Sequence, residues 1–306
     1  LVTLRCLVGP TAGGKTRMAV EVALALRDRG LDAEIVSCDS MGVYRGLDIV
    51  ADKPSRDERC GIVHHLFDVA DPDEDFNAPR FRTLARAAID DIASRGAAPM
   101  LVGGTGLYFR AVVDELEFAP TSPEVRARLE AEDPDGLYAR LRERDPASAE
   151  RLDPRNVRRV VRAVEVMELT GRPPSELRTS WERGGGPYEL VVAGLTWDRA
   201  LLMQRAEERV QREIDAGLLD EVARVGPANF SRTARQALGV KEMIPVIEGD
   251  MGMDAATAVL VKNTKNFIRR QFSWFLADDR IDWVDASTLG WDAARDRITE
   301  LFAGEG

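Results

Sequence analysis

The chain has 306 residues, of which 44% are hydrophobic and 31% charged, and its formal net charge is −10. That length buries a full α/β core with room for one extra subdomain, and the composition argues against long disorder. The charge excludes a generally basic nucleic-acid binder, so a polyanionic partner has to be met by a local basic surface against an overall repulsive field.

The first apolar run, Leu1 to Val8, reads as a strand. It leads into Gly9-Pro10-Thr11-Ala12-Gly13-Gly14-Lys15-Thr16, a G-x-x-x-x-G-K-T sequence, and then into a good helix former from Lys15 to Arg29. Strand, glycine loop and helix in this order form a phosphate cradle. Glycines let successive backbone N–H groups face oxyanions, Lys15 brings a point charge to the terminal phosphates, and the Thr16 hydroxyl is placed to hold Mg²⁺. The loop alone leaves the chemistry open among kinases, nucleotide hydrolases and group transferases.

A second strand, Ala33 to Cys38, ends on Asp39-Ser40. Asp39 there suits a Mg²⁺ contact or a general base, and equally a turn or N-cap residue. A helix from Ala78 to Arg95 and a strand from Met100 to Val102 follow, and that strand runs into Gly103-Gly104-Thr105-Gly106 without an acidic residue. The missing acid weakens a nucleotide-hydrolase reading. Alternation of this kind implies a parallel sheet with helices on both faces, and ligands bind at the carboxyl ends of its strands. The phosphate loop, Asp39-Ser40 and Gly103 to Gly106 all end there.

From Pro120 to about Gly186 the chain turns to Arg/Glu-rich helical segments broken by Asp133-Pro134, Asp145-Pro146 and Asp153-Pro154, and closes on the hinge-like Gly184-Gly185-Gly186-Pro187. This reads as an all-helical insertion at 119–187 within a core of 1–118 and 188–306. In it, Val157, Val160, Val161 and Val164 fall on one helical face, leaving Arg158 and Arg162 on the other. Strand character returns at Leu190 to Leu195, and helices are expected at Ala200 to Ala216, Leu218 to Val225 and Asp254 to Leu276. Lys262, Lys265 and Arg269 share a face of the last, ahead of Arg270-Gln271-Phe272-Ser273-Trp274-Phe275. Arginines beside aromatics suit phosphate positioning and stacking on an unpaired base, although a solvated charged face with core aromatics has the same spacing.

Cys6, Cys38 and Cys60 lack metal-type spacing and read as reduced structural thiols. The only histidines, His64 and His65, have no third ligand nearby and suit packing or capping rather than a metal. No apolar stretch approaches about 18 residues and the chain begins on a core strand, so neither membrane span nor signal peptide is expected and the cytoplasm is the default address.

Together these stretches resemble the tRNA dimethylallyltransferases, or tRNA isopentenyltransferases, over nearly the whole chain. The resemblance is carried by the phosphate loop, Asp39-Ser40-Met41, Val43 to Ile49, Lys53-Pro54, His64-His65-Leu66, Leu101 to Tyr108, Arg158-Arg159 to Val166, and Arg270-Gln271 with Trp274-Phe275. It implies a P-loop NTPase-like core, Mg²⁺, and transfer of a dimethylallyl group from dimethylallyl diphosphate to the exocyclic amine of the adenosine 3′ to the anticodon. It further implies a swinging insertion that helps hold the anticodon stem-loop; a monomer is expected. Gly9, Thr11, Ala12, Gly13, Gly14, Lys15, Thr16 and Arg209 would then hold the diphosphate, with Thr16 on Mg²⁺, and Asp39 would accept the amine proton. By the same resemblance Asp39, Ser40, Met41, Gly42, Thr105, Arg126, Arg158, Arg159, Arg162, Arg235, Gln236, Gly239, Val240, Arg270 and Gln271 contact the RNA. Gly42, Val50-Ala51-Asp52, Val240 and Lys265 depart from the family pattern. Asp52 adds a carboxylate near the diphosphate, which is repulsive unless it faces away or helps bind Mg²⁺. The competing readings are an adenylate isopentenyltransferase acting on free AMP, ADP or ATP, a small-molecule P-loop kinase, and a noncatalytic RNA-binding protein on the same scaffold.

Overall fold

Among the described residues six short strands pair side by side in one sheet, and every neighbouring pair runs parallel. The computed structural model describes residues 1–176 and 186–304. In chain order the elements begin β1 (Val2–Val8), α1 (Lys15–Asp28), β2 (Ala33–Cys38), β3 (His64–His65), α2 (Ala78–Ser94), β4 (Ala98–Gly103) and α3 (Gly106–Val113). The helices α4 (Pro123–Glu130), α5 (Pro134–Arg144), α6 (Pro146–Arg151) and α7 (Val157–Thr170) follow. The chain then returns through β5 (Tyr188–Thr196), α8 (Arg199–Asp215), α9 (Leu218–Val225), α10 (Val240–Ile247) and α11 (Met253–Phe275). It finishes with β6 (Ile281–Asp285), α12 (Ala286–Leu289) and α13 (Trp291–Ala303).

The strand order is β3-β2-β4-β1-β5-β6. Leu7, Ile35, Met100, Val102, Ala193 and Leu195 point to one side, where α1 and α13 seal them into a cluster with Met18, Val22, Leu26 and Phe302. The alternate residues Cys6, Val36, Leu101 and Val192 are equally buried on the other side, where α2 packs over β1, β2 and β4. Burial on both faces is why these strands are apolar runs rather than alternating ones. Two strands escaped the sequence reading. His64–His65 is a two-residue edge, and Ile281-Asp282-Trp283-Val284-Asp285 alternates too briefly to stand out from its helical surroundings. The histidines close that edge: His65 Nε2 lies 2.6 Å from Glu34 Oε2, while His64 stacks on Phe67 and its Nδ1 lies 2.9 Å from the Ile62 carbonyl.

The chain divides into two compact units, Leu1–Asp114 with Gly186–Gly306, and Glu115–Gly185. The second has its own core of Leu129, Leu137, Leu141, Val160, Val161 and Val164. Its helices start where the sequence supplies caps: Ser122, Asp133, Asp145 and Asn156 each accept a backbone N–H of the first turn, three of them just ahead of a proline. Val157, grouped with the buried valines by spacing, lies in the first turn of α7 and is exposed. Of the hinge-like glycines, Gly184 and Gly185 lie outside the described residues.

Candidate active site

The loop after β1 is shaped by its glycines and by partners far away in sequence. Gly14 sits at φ 77° as the residue before α1, and Ala12 takes φ 61°, which few residues with a Cβ adopt. Three contacts hold this form. Gln271 Oε1 accepts the Thr11 amide proton at 2.8 Å, Trp197 Nε1 donates to the Gly13 carbonyl at 2.9 Å, and Arg209 donates to Thr11 Oγ1 at 2.8 Å. Lys15 folds back so that its Nζ donates to the Pro10 carbonyl at 2.6 Å. Burial draws the Lys15 ammonium from its ordinary 10.5 down to about 8, with Arg209 pushing the same way and Asp39 and Asp52 pulling against it.

Asp39 follows β2. Its Oδ1 accepts the amide protons of Met41 at 2.7 Å and Gly42 at 3.3 Å, closing the turn that its residue type favours. Among the described residues Oδ2 has no hydrogen-bond partner, so one carboxylate holds the turn with one oxygen and presents the other. Thr105 supports the same turn, because its Oγ1 accepts the Ser40 amide proton at 3.2 Å. The turn and base readings left open by the sequence are compatible in one side chain.

Two cavities meet at these residues. The first, of about 560 Å³, is lined by Gly14, Lys15, Thr16, Asp52 and Arg209 among others. The second, of about 160 Å³, is lined by Asp39, Ser40, Met41, Gln236 and Arg270. Arg209 borders both. Its Nε donates to Glu213 Oε1 at 2.6 Å, and its Nη1 lies 3.2 Å from Asp52 Oδ2. Burial opposes the guanidinium charge, yet the carboxylates of Glu213, Asp52 and Asp39 hold it above its ordinary value. Glu213 is itself raised, because burial outweighs the help of Arg209.

The basic residues expected on RNA fall into distinct environments. Arg270 is exposed, with its guanidinium over the Phe267 ring, and Gln236 is exposed beside it on the second cavity. Arg235 is partly buried and donates to the Pro227 carbonyl at 2.8 Å. Val240 is wholly buried, and Gly239 is packed against Leu218. Gly42 is buried too; a Cβ there would stand 3.1 Å from the Phe67 ring, which fills the space a larger residue would need. Gln271, expected as an RNA contact, is 4% exposed and uses both ends of its amide internally, accepting from Thr11 and donating to the Gly104 carbonyl at 3.0 Å. Its residue type is a brace for two loops, and its position in a helix gave no sign of that.

Within the helical unit, Arg158 and Arg159 are exposed at the start of α7. Arg126 and Arg162 instead converge on the fully buried Glu165, at 2.5 and 2.8 Å, and Glu165 also accepts the Ser122 amide proton. Arg162 further donates to the carbonyls of Ala119 and Pro120. The pairing holds the Glu165 carboxyl below its usual range against the opposing effect of burial. In α11, Lys265 pairs with Glu207.

Two site features were missed in the sequence. Glu213 stands four residues after Arg209, an ordinary helical ion-pair spacing that carried the signal. Glu221, on α9, is 4% exposed and accepts the amide protons of Asp48, Ile49 and Val50, each at 2.9 Å. Nothing local announces it, since its partners lie more than 170 residues away.

Known proteins give this geometry a context. The IPP transferase family model matches residues 42–278. The chain is 46% identical to the tRNA dimethylallyltransferase of Symbiobacterium thermophilum, over 96% of this chain and 92% of that one, and 44% identical to that of Kineococcus radiotolerans, over 98% and 96%. Its structure is similar to the full-length tRNA isopentenylpyrophosphate transferase from Bacillus halodurans, with a TM-score of 0.73 at 35% identity, covering 100% of this chain and 97% of that one. It is also similar to a eukaryotic dimethylallyltransferase acting on tRNA, with a TM-score of 0.80 at 26% identity, covering 98% and 78%.

Proposed function

The chain belongs to the IPP transferase family of tRNA dimethylallyltransferases, a P-loop NTPase-like fold, and on that premise we propose how its own residues divide the prenylation of tRNA between the two cavities. The first cavity takes dimethylallyl diphosphate, whose diphosphate lies against the loop amides of 12–14 with Lys15 and Arg209 opposing its charge. The second takes the flipped-out adenosine 3′ to the anticodon, with Asp39 facing its amine.

Bond changes then balance simply. The amine nitrogen bonds to the allylic carbon, the carbon–oxygen bond to the diphosphate breaks, and the amine proton passes to Asp39 Oδ2, releasing pyrophosphate and prenylated RNA. An aromatic amine is a weak nucleophile, so orientation at a cation-like carbon contributes alongside proton removal. Met41 and Gly42 keep the carboxylate aimed by occupying Oδ1.

The Thr16 hydroxyl stands at the first turn of α1, lines the first cavity and makes no hydrogen bond among the described residues. No group of three acidic, histidine or cysteine side chains among the described residues forms a metal cage. One hydroxyl plus substrate phosphates is the donor set Mg²⁺ accepts, so Thr16 would hold it together with the diphosphate, where it neutralises leaving-group charge.

The observation that carries this reading is Asp39, with one oxygen committed to its turn and the other without a partner among the described residues, on a cavity that shares Arg209 with the phosphate loop. The test offers labelled dimethylallyl diphosphate and Mg²⁺ to the protein with unmodified tRNA and, in parallel, with free AMP. Label in tRNA alone is expected. Label in AMP alone would replace the RNA acceptor by a free nucleotide, and label in neither would remove the reading.

A further inference from the structure

The mouth of the first cavity contains an anion that belongs to the protein. Asp52 lies at φ 48°, at the end of a tight turn in which its own amide donates to the Ile49 carbonyl at 3.1 Å and the Lys53 amide donates to the Asp48 carbonyl at 3.0 Å. Glu221 clamps this turn from α9 through the amides of Asp48, Ile49 and Val50. On its other side Lys53, with its side chain 3% exposed, is tied to Asp48, Asp68 and the Tyr44 carbonyl. The placement of Asp52 is therefore built by the fold rather than left to a mobile surface chain. Its carboxylate reaches Arg209 Nη1 at 3.2 Å, and the same nitrogen donates to Thr11 Oγ1 of the phosphate loop at 2.8 Å.

We propose that Asp52 is an internal competitor for the diphosphate: it pairs with Arg209 when the phosphate loop is empty, is displaced when a diphosphate takes that guanidinium, and speeds release of pyrophosphate after transfer. The inference rests on the diphosphate reading of the first cavity. A diphosphate placed between the loop amides and Arg209 meets the Asp52 carboxylate at close range, so the two anions contest one cation. The Asp52 side chain is 60% exposed, which lets it swing into water at small cost. An exposed pair of this kind corresponds to a preference of a few-fold, and like-charge repulsion across the cavity adds to it. The net effect on affinity is on the order of three- to tenfold.

Asp52→Asn tests this cleanly, because Asn keeps the shape and tolerates the left-handed backbone that Asp52 adopts. Isothermal titration with inorganic pyrophosphate, in the presence and absence of Mg²⁺, reads the diphosphate site without any prenyl transfer. The variant is expected to bind pyrophosphate about three- to tenfold more tightly under both conditions, and to show a lower KM for dimethylallyl diphosphate with a kcat that is equal or reduced by slower product release. Asp57→Asn, which removes an exposed charge from the neighbouring turn, controls for the general field and is expected to change affinity less than twofold. Unchanged affinity in Asp52→Asn, or an equal gain in Asp57→Asn, overturns the inference. Weaker binding confined to the Mg²⁺ condition also overturns it, by making Asp52 a metal ligand. Failure of both wild type and variant to bind pyrophosphate removes the diphosphate reading itself, a result distinct from the others.

Discussion

Gln271 on α11 accepts the Thr11 amide proton at 2.8 Å and so joins the phosphate loop to a helix 260 residues further along the chain. The other end of its amide donates to the Gly104 carbonyl, which places the loops after β1 and β4 under one side chain. Replacing it leaves the buried Gly104 carbonyl and the partly buried Thr11 amide unpaired, at about 1–3 kcal/mol for the buried group and less for the other. Gln271→Ala is expected to lower stability in urea by about 2 kcal/mol and to weaken pyrophosphate binding, because Thr11 loses its register. Full stability with normal pyrophosphate affinity would show that the brace is dispensable.

Asp39 permits a separation of roles. Asp39→Asn keeps an oxygen for the Met41 and Gly42 amides but cannot take up a proton, whereas Asp39→Ala loses both functions. The Asn variant is expected to melt like the wild type, to bind tRNA and diphosphate normally, and to lose about 10²–10⁴ in kcat. The Ala variant adds a loss in melting temperature. Equal kcat in Asp39→Asn and wild type would mean that the amine proton leaves by another route.

Lys15 is expected to make diphosphate binding depend on pH. Burial holds its folded value near 8 against an ordinary 10.5, so between these two the unfolded chain binds more protons and stability rises with pH across that window. An entering diphosphate favours the ammonium and draws its value back up. Titrations near pH 9 in two buffers of different ionisation enthalpy are therefore expected to show uptake of up to about one proton per pyrophosphate bound. Absence of proton uptake would place the Lys15 charge outside the binding equilibrium.

The arginines of the helical unit divide into two groups. Arg162 neutralises a fully buried Glu165 together with Arg126, so Arg162→Glu leaves that carboxylate to Arg126 alone with a like charge beside it and is expected to cost about 3–5 kcal/mol in the stability of that unit. Arg158→Glu with Arg159→Glu alters exposed positions at the start of α7. That double variant is expected to keep the fold and to weaken tRNA binding, with a shallower dependence on salt than the wild type. Unaltered tRNA affinity would return α7 to a purely structural element.

Local signals determined much of this protein in advance. The glycine pattern from Gly9 to Gly14 declares a phosphate loop because few other residues take such backbone angles, and short apolar runs separated by helical periods declare a parallel sheet covered on both faces. The breaks at Asp133-Pro134 and Asp145-Pro146 mark the helical insertion for the same reason: each aspartate caps a helix within three residues of itself. Asp39 was legible as either a turn residue or a base, and the tertiary structure shows one oxygen serving the turn.

What tertiary structure alone decided is the pairing of distant groups. Gln271, Val240 and Gly239 were expected on RNA through the resemblance, and the structure shows Gln271 as a buried brace and the other two packed inside; Arg162 shared a sequence face with Arg158 but turns to Glu165. Glu221 and its three amides, and Asp52 against Arg209, join segments more than 150 residues apart. A helix or strand period reports which side of an element is apolar, but the partner of a polar group is set by which elements the sheet order brings together. Short-range sterics wrote the elements into the sequence; the long-range packing of β1, β2, α8, α9 and α11 made them into a site.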